Sequence, residues 1–310
     1  MQFKSIKSAL VGVGALIASA AAQATPLSVT DILTEFNAVV SGNFTSTSDV
    51  EGRLVANNMT GGATFYNNPR GAASSYGAIT ANTIGNFNAN VNNGGNVSYL
   101  TSDLAHFNLN GGGTVSQTSS FALSDFTSTL NTLSNTLAGL TSNSTVNAAD
   151  PNNFTFSLSP DASGTAIFTL TTSQLAAARN ILFSGSADTI IINVTGSSFA
   201  ESGNFNASTY LNQHIIWNFV DATSLSFTSW HGAVLAGKAT VSNSSAMEGF
   251  LYAANFNGNG ELHDFGFAGS LSSILSTSSS TASTSNVPEP ASAALVLGSL
   301  AALARTRRRK

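Results

Sequence analysis

The chain lacks cysteine and has few charged residues. None of its 310 residues is Cys, and only 8% are charged. The missing cysteine excludes a disulfide framework and every zinc site built on thiolates. His106, His214 and His231 are scattered, and no second histidine follows at the i+4 spacing of a zinc protease. Stability must therefore come from packing and backbone hydrogen bonds, and we predict no metal and no cofactor.

Basic residues are scarce outside the two ends. Four remain there (Arg53, Arg70, Arg179 and Lys238) against fourteen acidic side chains, so this part carries a net charge of about −10, whereas the whole chain carries −4. Such an acidic surface excludes nucleic acid as a partner. The other seven basic residues are Lys4, Lys7, Arg305, Arg307, Arg308, Arg309 and Lys310.

The N-terminal segment has the pattern of a secretion signal. Lys4 and Lys7 precede an apolar, alanine-rich stretch at 9–22, and Ala22-Gln23-Ala24 fits the small-x-small rule of signal peptidase. We predict a signal peptide at 1–24 that is cleaved after Ala24. The chain is then secreted across the inner membrane.

The C-terminal segment has the order of a stop-transfer element. Pro288-Glu289-Pro290 is followed by an apolar block at 291–304 and a basic end. The block is shorter than the ~20 residues that span a bilayer comfortably, so we predict a short, at least transient, transmembrane helix within 287–310. A frayed basic helix is the alternative. Residues 272–286 are almost wholly Ser, Thr, Ala and Asn, which predicts a flexible linker.

Four internal repeats predict the fold of the segment between the ends. Each opens on Gly, carries an aliphatic residue two positions later and Ala two further on, and has another apolar residue three beyond that. This pattern indicates a strand, a corner and a second strand. The last two copies are 17 residues apart, about one coil of a β-solenoid. Chance similarity in a Gly/Ala-rich chain is the alternative. The repeats occupy 52–59, 77–84, 232–239 and 249–256.

One segment departs from the β pattern. Its apolar residues alternate in steps of four and three from Phe126 to Leu140, which predicts an amphipathic helix over 121–140 that ends near Gly139. We expect it to pack on the solenoid flank; a partner-binding helix is the alternative. The fold class is therefore mostly β, a β-solenoid with one amphipathic α-helix. Further strands are predicted at 154–158, 165–170, 189–194, 214–219 and 224–227, with a short helix at 173–178.

Two groups of polar side chains are candidates for chemistry. Asp49 and Glu51 are two apart and would point the same way on a strand, as paired carboxylates of a glycosidase or calcium ligands do. A solvated pair beside Arg53 is the simpler interpretation. A second group at 261–264 (Glu261, His263 and Asp264) has too few ligands for zinc, and we favour corner capping. Without a converging catalytic set, we predict that the chain is not an enzyme.

The two tryptophans are candidates for stacking on sugar rings. Trp217 lies in the continuous apolar run 215–219, which favours a core position. Trp230 precedes a Gly corner, so we single it out as the candidate ligand contact.

The C-terminal pattern resembles the PEP-CTERM sorting signal of Gram-negative bacteria. Val287-Pro288-Glu289-Pro290, the apolar block and the arginine-rich end carry the resemblance. It implies processing near Pro288, Glu289 and Pro290 by an exosortase, a membrane-embedded protease-transpeptidase. Delivery to the cell surface, outer membrane or extracellular matrix would follow.

The remainder, at 25–271, resembles the choice-of-anchor A family of adhesive domains. The resemblance runs over roughly 31–271 and departs at Gly237-Lys238, where the family commonly has a proline-containing corner. It implies adhesion and a β-solenoid fold. The matching stretches are 36–37, 42–44, 49–53 with Ala56, 217–219, 221–223, 230–236, 248–249, 261–263 and Phe265.

The sequence therefore supports a surface or matrix adhesin that presents a flat Ser/Thr/Asn face to extracellular polysaccharide or neighbouring cells in a biofilm. A carbohydrate-active lyase or hydrolase using Asp49, Glu51 and Glu261 is the alternative. Ice binding by the same face ranks last, because regular Thr-x-Thr ladders are missing from the sequence.

Overall fold

A computed structural model describes residues 27–280 except 73 and 120, and the side chains of 277–280 are also not described. The predicted signal peptide and the predicted sorting segment, including its apolar helix, lie outside the described residues. Within 27–280, none of the helices combines the length and the apolar character needed to cross a membrane.

The described chain is mostly strand, as the composition and repeats predicted. Its helices are α1 (Val29–Glu35), α2 (Leu123–Ala138), α3 (Thr172–Ala176), α4 (Thr209–His214) and α5 (Ser272–Ser280), with a 3₁₀ turn at Pro151–Asn153. Its strands are β1 (Phe36–Ser46), β2 (Arg53–Met59), β3 (Thr64–Phe65), β4 (Ile79–Ile84), β5 (Asn88–Val91), β6 (Val97–Asp103), β7 (His106–Leu109), β8 (Val115–Gln117), β9 (Thr145–Asn147), β10 (Phe154–Ser157), β11 (Thr165–Thr171), β12 (Asn180–Ser184), β13 (Thr189–Thr195), β14 (Ser198–Ala200), β15 (Asn204–Phe205), β16 (Ile215–Asn218), β17 (Ser224–Phe227), β18 (Trp230–His231), β19 (Ala233–Asn243), β20 (Met247–Glu248), β21 (Leu251–Gly258) and β22 (Leu262–His263).

The strands stack in parallel. Among the described strands every pair is parallel except β9 with β10. Val234 pairs with Leu251, which is the 17-residue step that the last two repeats predicted. Strand pairing is irregular at two of the predicted corners. One irregularity lies between Ala56 and Asn58 of β2, opposite Val40 and Asn43 of β1, and the other between Ala236 and Thr240 of β19. Each repeat is therefore one strand bent by an irregularity, since Asn and Gly tolerate such bends.

The order of strands in the stack differs from their order along the chain. The main sheet runs β11-β13-β16-β19-β21-β1-β2-β4-β6-β8, so β1 lies between β21 and β2. Asn37 fixes this junction: its Nδ2 donates to the carbonyls of Gly249 (3.1 Å) and His263 (3.0 Å), and its Oδ1 accepts from Gly52 N (3.1 Å). Asn37 is fully buried. One side chain therefore ties the first strand to both neighbouring turns of the stack.

Helix α2 confirms the predicted amphipathic helix and lies along one face of the stack. Phe126, Leu130, Leu133 and Leu137 are buried against the sheet. At ~1.5 Å per residue its 16 residues reach about 24 Å. Six strands at ~4.8 Å span the same distance. The helix contacts β13, β16, β19, β1 and β2 and bonds to β21 through Tyr252, so it covers those six strands.

The sheet residues under α2 change character along the stack. Leu235, Tyr252, Val39 and Val55 occupy one register row beneath the helix, and Thr80, Ser98 and Ser116 continue that row after the helix has ended. At the other end of the helix the row carries Asn193 and Asn218. Asn193 Nδ2 donates to Leu137 O (2.7 Å) and Asn218 Nδ2 to Ser134 O (2.9 Å).

Residues assigned to the flexible linker begin as a helix instead. Helix α5 covers Ser272–Ser280, and Ile274 is buried in the cluster that contains α2. The sequence prediction overlooked this helix because two apolar residues, Ile274 and Leu275, are a weak signal in a Ser/Thr-rich segment. Packing therefore extends beyond residue 271.

Replacement of Asn37 by Ala should lower the free energy of unfolding by at least about 2 kcal/mol, because Gly52 N and two carbonyls lose their buried partner. Urea unfolding of Asn37→Ala measures this loss. Asn257→Ala, on the exposed side of β21, is the control and should change stability by less than about 0.5 kcal/mol. Equal losses in the two variants would contradict the junction role.

Candidate functional site: a polar ladder on one face of the stack

After the corners, the second halves of the long strands in the main sheet carry a row of small polar side chains. Ser198, Ser224, Thr240 and Asn255 are aligned by strand register on one half of the stack. Asn43, Asn58, Thr83 and Ser102 continue the row on the other half. All eight positions are Ser, Thr or Asn. At ~4.8 Å between strands the row is about 34 Å long.

A second row runs parallel to the first, two residues further along each strand. It contains Ser226, Ser242, Asn257 and Thr45, with Ala200 at one end and Thr60 beside Thr45. We call the two rows together the polar ladder. The sequence predicted a flat Ser/Thr/Asn face but none of its residues.

Buried side chains between the two rows hold this face in place. Phe44 and Phe256 are stacked with ring centroids 5.4 Å apart, and Phe199, Leu225 and Val241 lie in the same interior column. All five are at most 5% exposed. Since alternate residues of a strand point to opposite faces, the buried column directs its polar neighbours outward.

Hydrogen bonds within the ladder restrict its side chains. Asn58 Nδ2 donates to Asn43 Oδ1 (3.1 Å), Asn255 Oδ1 accepts from Asn43 N (2.9 Å), and the hydroxyls of Thr45 and Thr60 bond to each other. Thr83 donates its hydroxyl to Asn58 Oδ1. A surface ordered in advance loses less conformational entropy when it binds.

The ladder is uncharged, and charges occur only at its borders. Lys238 and Asp221 form an exposed ion pair of 3.2 Å at the corner. Glu201, next to Ala200, accepts hydrogen bonds from the main chain of Thr228 (2.6 Å) and Ser229 (3.0 Å). Burial raises the pKa of Glu201 to about 6. The surface therefore suits a neutral, hydroxyl-rich ligand more than an ionic one.

The structure corrects the interpretation of Trp230 as a surface ligand contact. Trp217 and Trp230 are both fully buried, with ring centroids 4.8 Å apart. Trp217 is in the core as predicted, and its indole N–H donates to His231 O (2.8 Å). Trp230 is enclosed by Phe199, Phe205 and Phe227. Neither ring can stack on a sugar at the surface.

The candidate carboxylates take part in structural contacts. Asp49 accepts from Asn67 Nδ2 (3.1 Å), and Glu51 accepts from Asp264 N (2.9 Å). Asp264 forms a 2.6 Å ion pair with Arg70. Arg53 does not pair with Asp49 or Glu51 as suggested; its guanidinium donates to Tyr76 O, Arg70 O and Tyr66 OH. In 27–280, without 73 and 120, no group of three or more His, Asp or Glu is placed to hold a metal ion.

His263 is held between two carboxylates on the edge of this network. Its Nδ1 lies 2.9 Å from Glu248 Oε1 and its Nε2 lies 2.6 Å from Glu261 Oε2. Hydrogen bonding to Glu248 is the main cause that raises the pKa of His263 to about 9. The corner-capping interpretation of this group was incomplete, because His263 pairs with Glu248 on the neighbouring strand and Asp264 pairs with Arg70 in the segment between β3 and β4.

Folding stability should therefore fall as pH rises through about 9. The folded pKa of His263 exceeds its ordinary value of 6.5, so its stabilising contribution is fully present below about 6.5 and is lost on deprotonation through about 9. Urea unfolding between pH 6 and 10 measures this slope. His263→Gln should flatten it, whereas His106→Gln should leave it unchanged; an unchanged slope in His263→Gln would contradict the assignment.

A small cleft lies beyond the N-terminal end of α2. Its volume is about 180 Å³, and Tyr76, Phe121, Thr80, Ser98 and Thr118 are among its lining residues. Ligand pockets of ~300–1,000 Å³ enclose small molecules, so this cleft is too small to surround an oligosaccharide. The polar ladder is the larger candidate surface.

Comparison with known proteins identifies one matching family model. Residues 29–264 match the family model described as "Putative Ice-binding-like adhesive domain". No curated protein and no solved structure matches significantly. The match covers about three quarters of the chain and includes every residue of the polar ladder. The chain therefore belongs to this family of ice-binding-like adhesive domains.

Proposed function

We propose that this chain is a secreted, non-catalytic adhesin with a β-solenoid fold, and that the polar ladder binds neutral extracellular polysaccharide at the surface of the cell. The family supports an adhesin-like function. The observation that carries the ligand class is the ladder itself, because its eight register-aligned Ser, Thr and Asn residues form an extended, uncharged row.

The chemistry of the ladder suits polysaccharide hydroxyl groups. Ser and Thr hydroxyls donate and accept, and Asn amides do both through separate atoms. Each such contact contributes little by itself, since it replaces hydrogen bonds to water. Repetition over about 34 Å supplies many contacts at once, and many copies on one cell would add avidity.

Two exposed residues of β17 offer the sharpest test of the ladder. In the double variant Ser224→Glu and Ser226→Glu, binding to the exopolysaccharide of the organism that produces this protein should fall at least about tenfold. The reason is that each new carboxylate would lose hydrating water on contact with a neutral ligand that cannot pair with its charge. Pull-down with purified protein and insoluble exopolysaccharide measures the bound fraction.

A matched control places the same charges on another face. Ser124 and Ser128 are exposed on α2, so Ser124→Glu with Ser128→Glu adds equal charge away from the ladder and should bind as the parent does. Equal loss of binding in both double variants would indicate general repulsion and contradict the ladder as the binding surface. Turnover of the polysaccharide by the parent protein would instead favour the lyase or hydrolase alternative.

Ice is the second candidate ligand, and the family description favours testing it. Ice still ranks behind polysaccharide, because the ladder mixes Asn with Ser and Thr instead of repeating Thr, and several of its side chains bond to each other. Thermal hysteresis in the parent that is lost in the β17 double variant, together with no polysaccharide binding, would assign the ladder to ice.

Processing at both ends belongs to the same proposal. Cleavage after Ala24 would release the chain from the secretion signal, and an exosortase would act at Pro288-Glu289-Pro290 after the apolar block 291–304 halts export. The basic end would remain on the cytoplasmic side during this step.

Replacement of Pro288, Glu289 and Pro290 by Ala should cause a longer, membrane-associated precursor to accumulate. Mass spectrometry of the cell-surface and membrane fractions would show the parent ending near these residues and the variant retaining 291–310. An identical mature C-terminus in both would exclude recognition of this tripeptide.

A further inference from the structure

The two ends of the strand stack differ in how they terminate. β8 is the last strand of the main sheet on one side and β11 the last on the other. In the parallel pairing of β8 with β6, Thr114 O accepts from Val97 N and Thr118 N donates to Tyr99 O. Since N–H and C=O groups alternate in direction along a strand, those of Val115 and Gln117 point to the open edge.

The apolar interior is also open at the β8 end. Val115, Leu109 and Phe107 continue the interior columns of Val97, Val91 and Ala89. Val115 is 38% exposed, and Leu104, which follows the far end of β6, is 62% exposed. These are two of only four large apolar side chains exposed among the described residues.

The β11 end is sealed. Phe154, Phe156, Phe168 and Leu170 in its terminal layers are at most 3% exposed. Asn143 covers the strand edge: its Oδ1 accepts from Ile167 N (2.8 Å), its Nδ2 donates to Thr165 O (2.9 Å), and its own N donates to Ile167 O (3.1 Å). The side chain thereby imitates a further strand, and the β8 end lacks such a cover among the described residues.

Charge distribution favours a second copy of this chain as the partner of the β8 end. Residues 104–119 contain no Asp, Glu, Lys or Arg, although the chain outside its two ends carries about −10. Natural sheet edges are usually protected by charges or proline, and this edge has neither. Two acidic molecules repel each other least where these neutral ends meet.

We propose that two copies associate head to head through β8 about a two-fold axis. In that arrangement Val115 of one copy lies opposite Gln117 of the other, and their outward main-chain groups exchange hydrogen bonds as an antiparallel pair. Ser116 lies on the axis opposite its own counterpart. The exposed Val115 side chain is covered at the same time, and the two polar ladders point away from the joint.

A cysteine placed at Ser116 tests the axis directly, because the chain has no other thiol. Opposed residues of an antiparallel pair are ~4.5–5.5 Å apart at Cα, within the range of a disulfide. In full-length Ser116→Cys, mild oxidation should yield disulfide-linked dimer at least about tenfold faster than in Thr169→Cys, the exposed counterpart on the sealed β11 end. Equal rates would overturn the proposal.

A charge at the open edge tests the same contact without a crosslink. Light scattering coupled to size exclusion should show a concentration-dependent dimer of the full-length parent, and Val115→Lys should raise its dissociation constant at least about tenfold while Thr169→Lys does not. Circular dichroism confirms that both variants remain folded. A parent that stays monomeric at every concentration, or a dimer unaffected by Val115→Lys, would overturn the proposal whether or not the ladder binds polysaccharide.

Discussion

Insertion of the first strand between β21 and β2 is the constraint on which the rest of the structure depends. Val39 pairs with Tyr252 on one side and with Val55 on the other, so residues 213 positions apart become neighbours. Without β1, strands β21 and β2 would each be an open edge in the middle of the stack. Asn37 satisfies buried main-chain groups at this point, because unpaired polar groups there would oppose the insertion.

The insertion of β1 separates the features that the sequence could predict from those that it could not. The Gly-x-aliphatic-x-Ala repeats predicted individual strands and the 17-residue step, because each depends on local alternation and on one neighbouring turn. The seven-residue apolar spacing from Phe126 likewise predicted α2. The strand order could not be predicted, since pairing over 213 residues leaves no periodic signal in a single sequence. The residues of the polar ladder depend on that order, so a polar face was expected but its members were unknown.

Errors in the site prediction have a common physical cause. Trp230 was taken for a surface residue because it precedes a Gly corner, yet the corner turns the ring inward among three phenylalanines. Arg53 was expected to neutralise nearby carboxylates, but its guanidinium donates to two carbonyls and a phenol instead. Sequence proximity suggests charge partners only weakly, because a side chain on a stacked strand meets residues from adjacent turns before its own neighbours.

The asymmetry of the stack connects its architecture to adhesion. A stack with two open ends could add copies without limit, since a head-to-tail contact does not close. A covered β11 end would instead restrict growth to the one joint proposed at β8. A joint there leaves the α2 face and the ladder face unobstructed, since both lie along the sides of the stack. Pairing two ladders in one particle would raise the effective concentration of the second binding event after the first. Weak contacts to single hydroxyl groups would then be sufficient for firm attachment, because the strength would come from length and number rather than from any one residue.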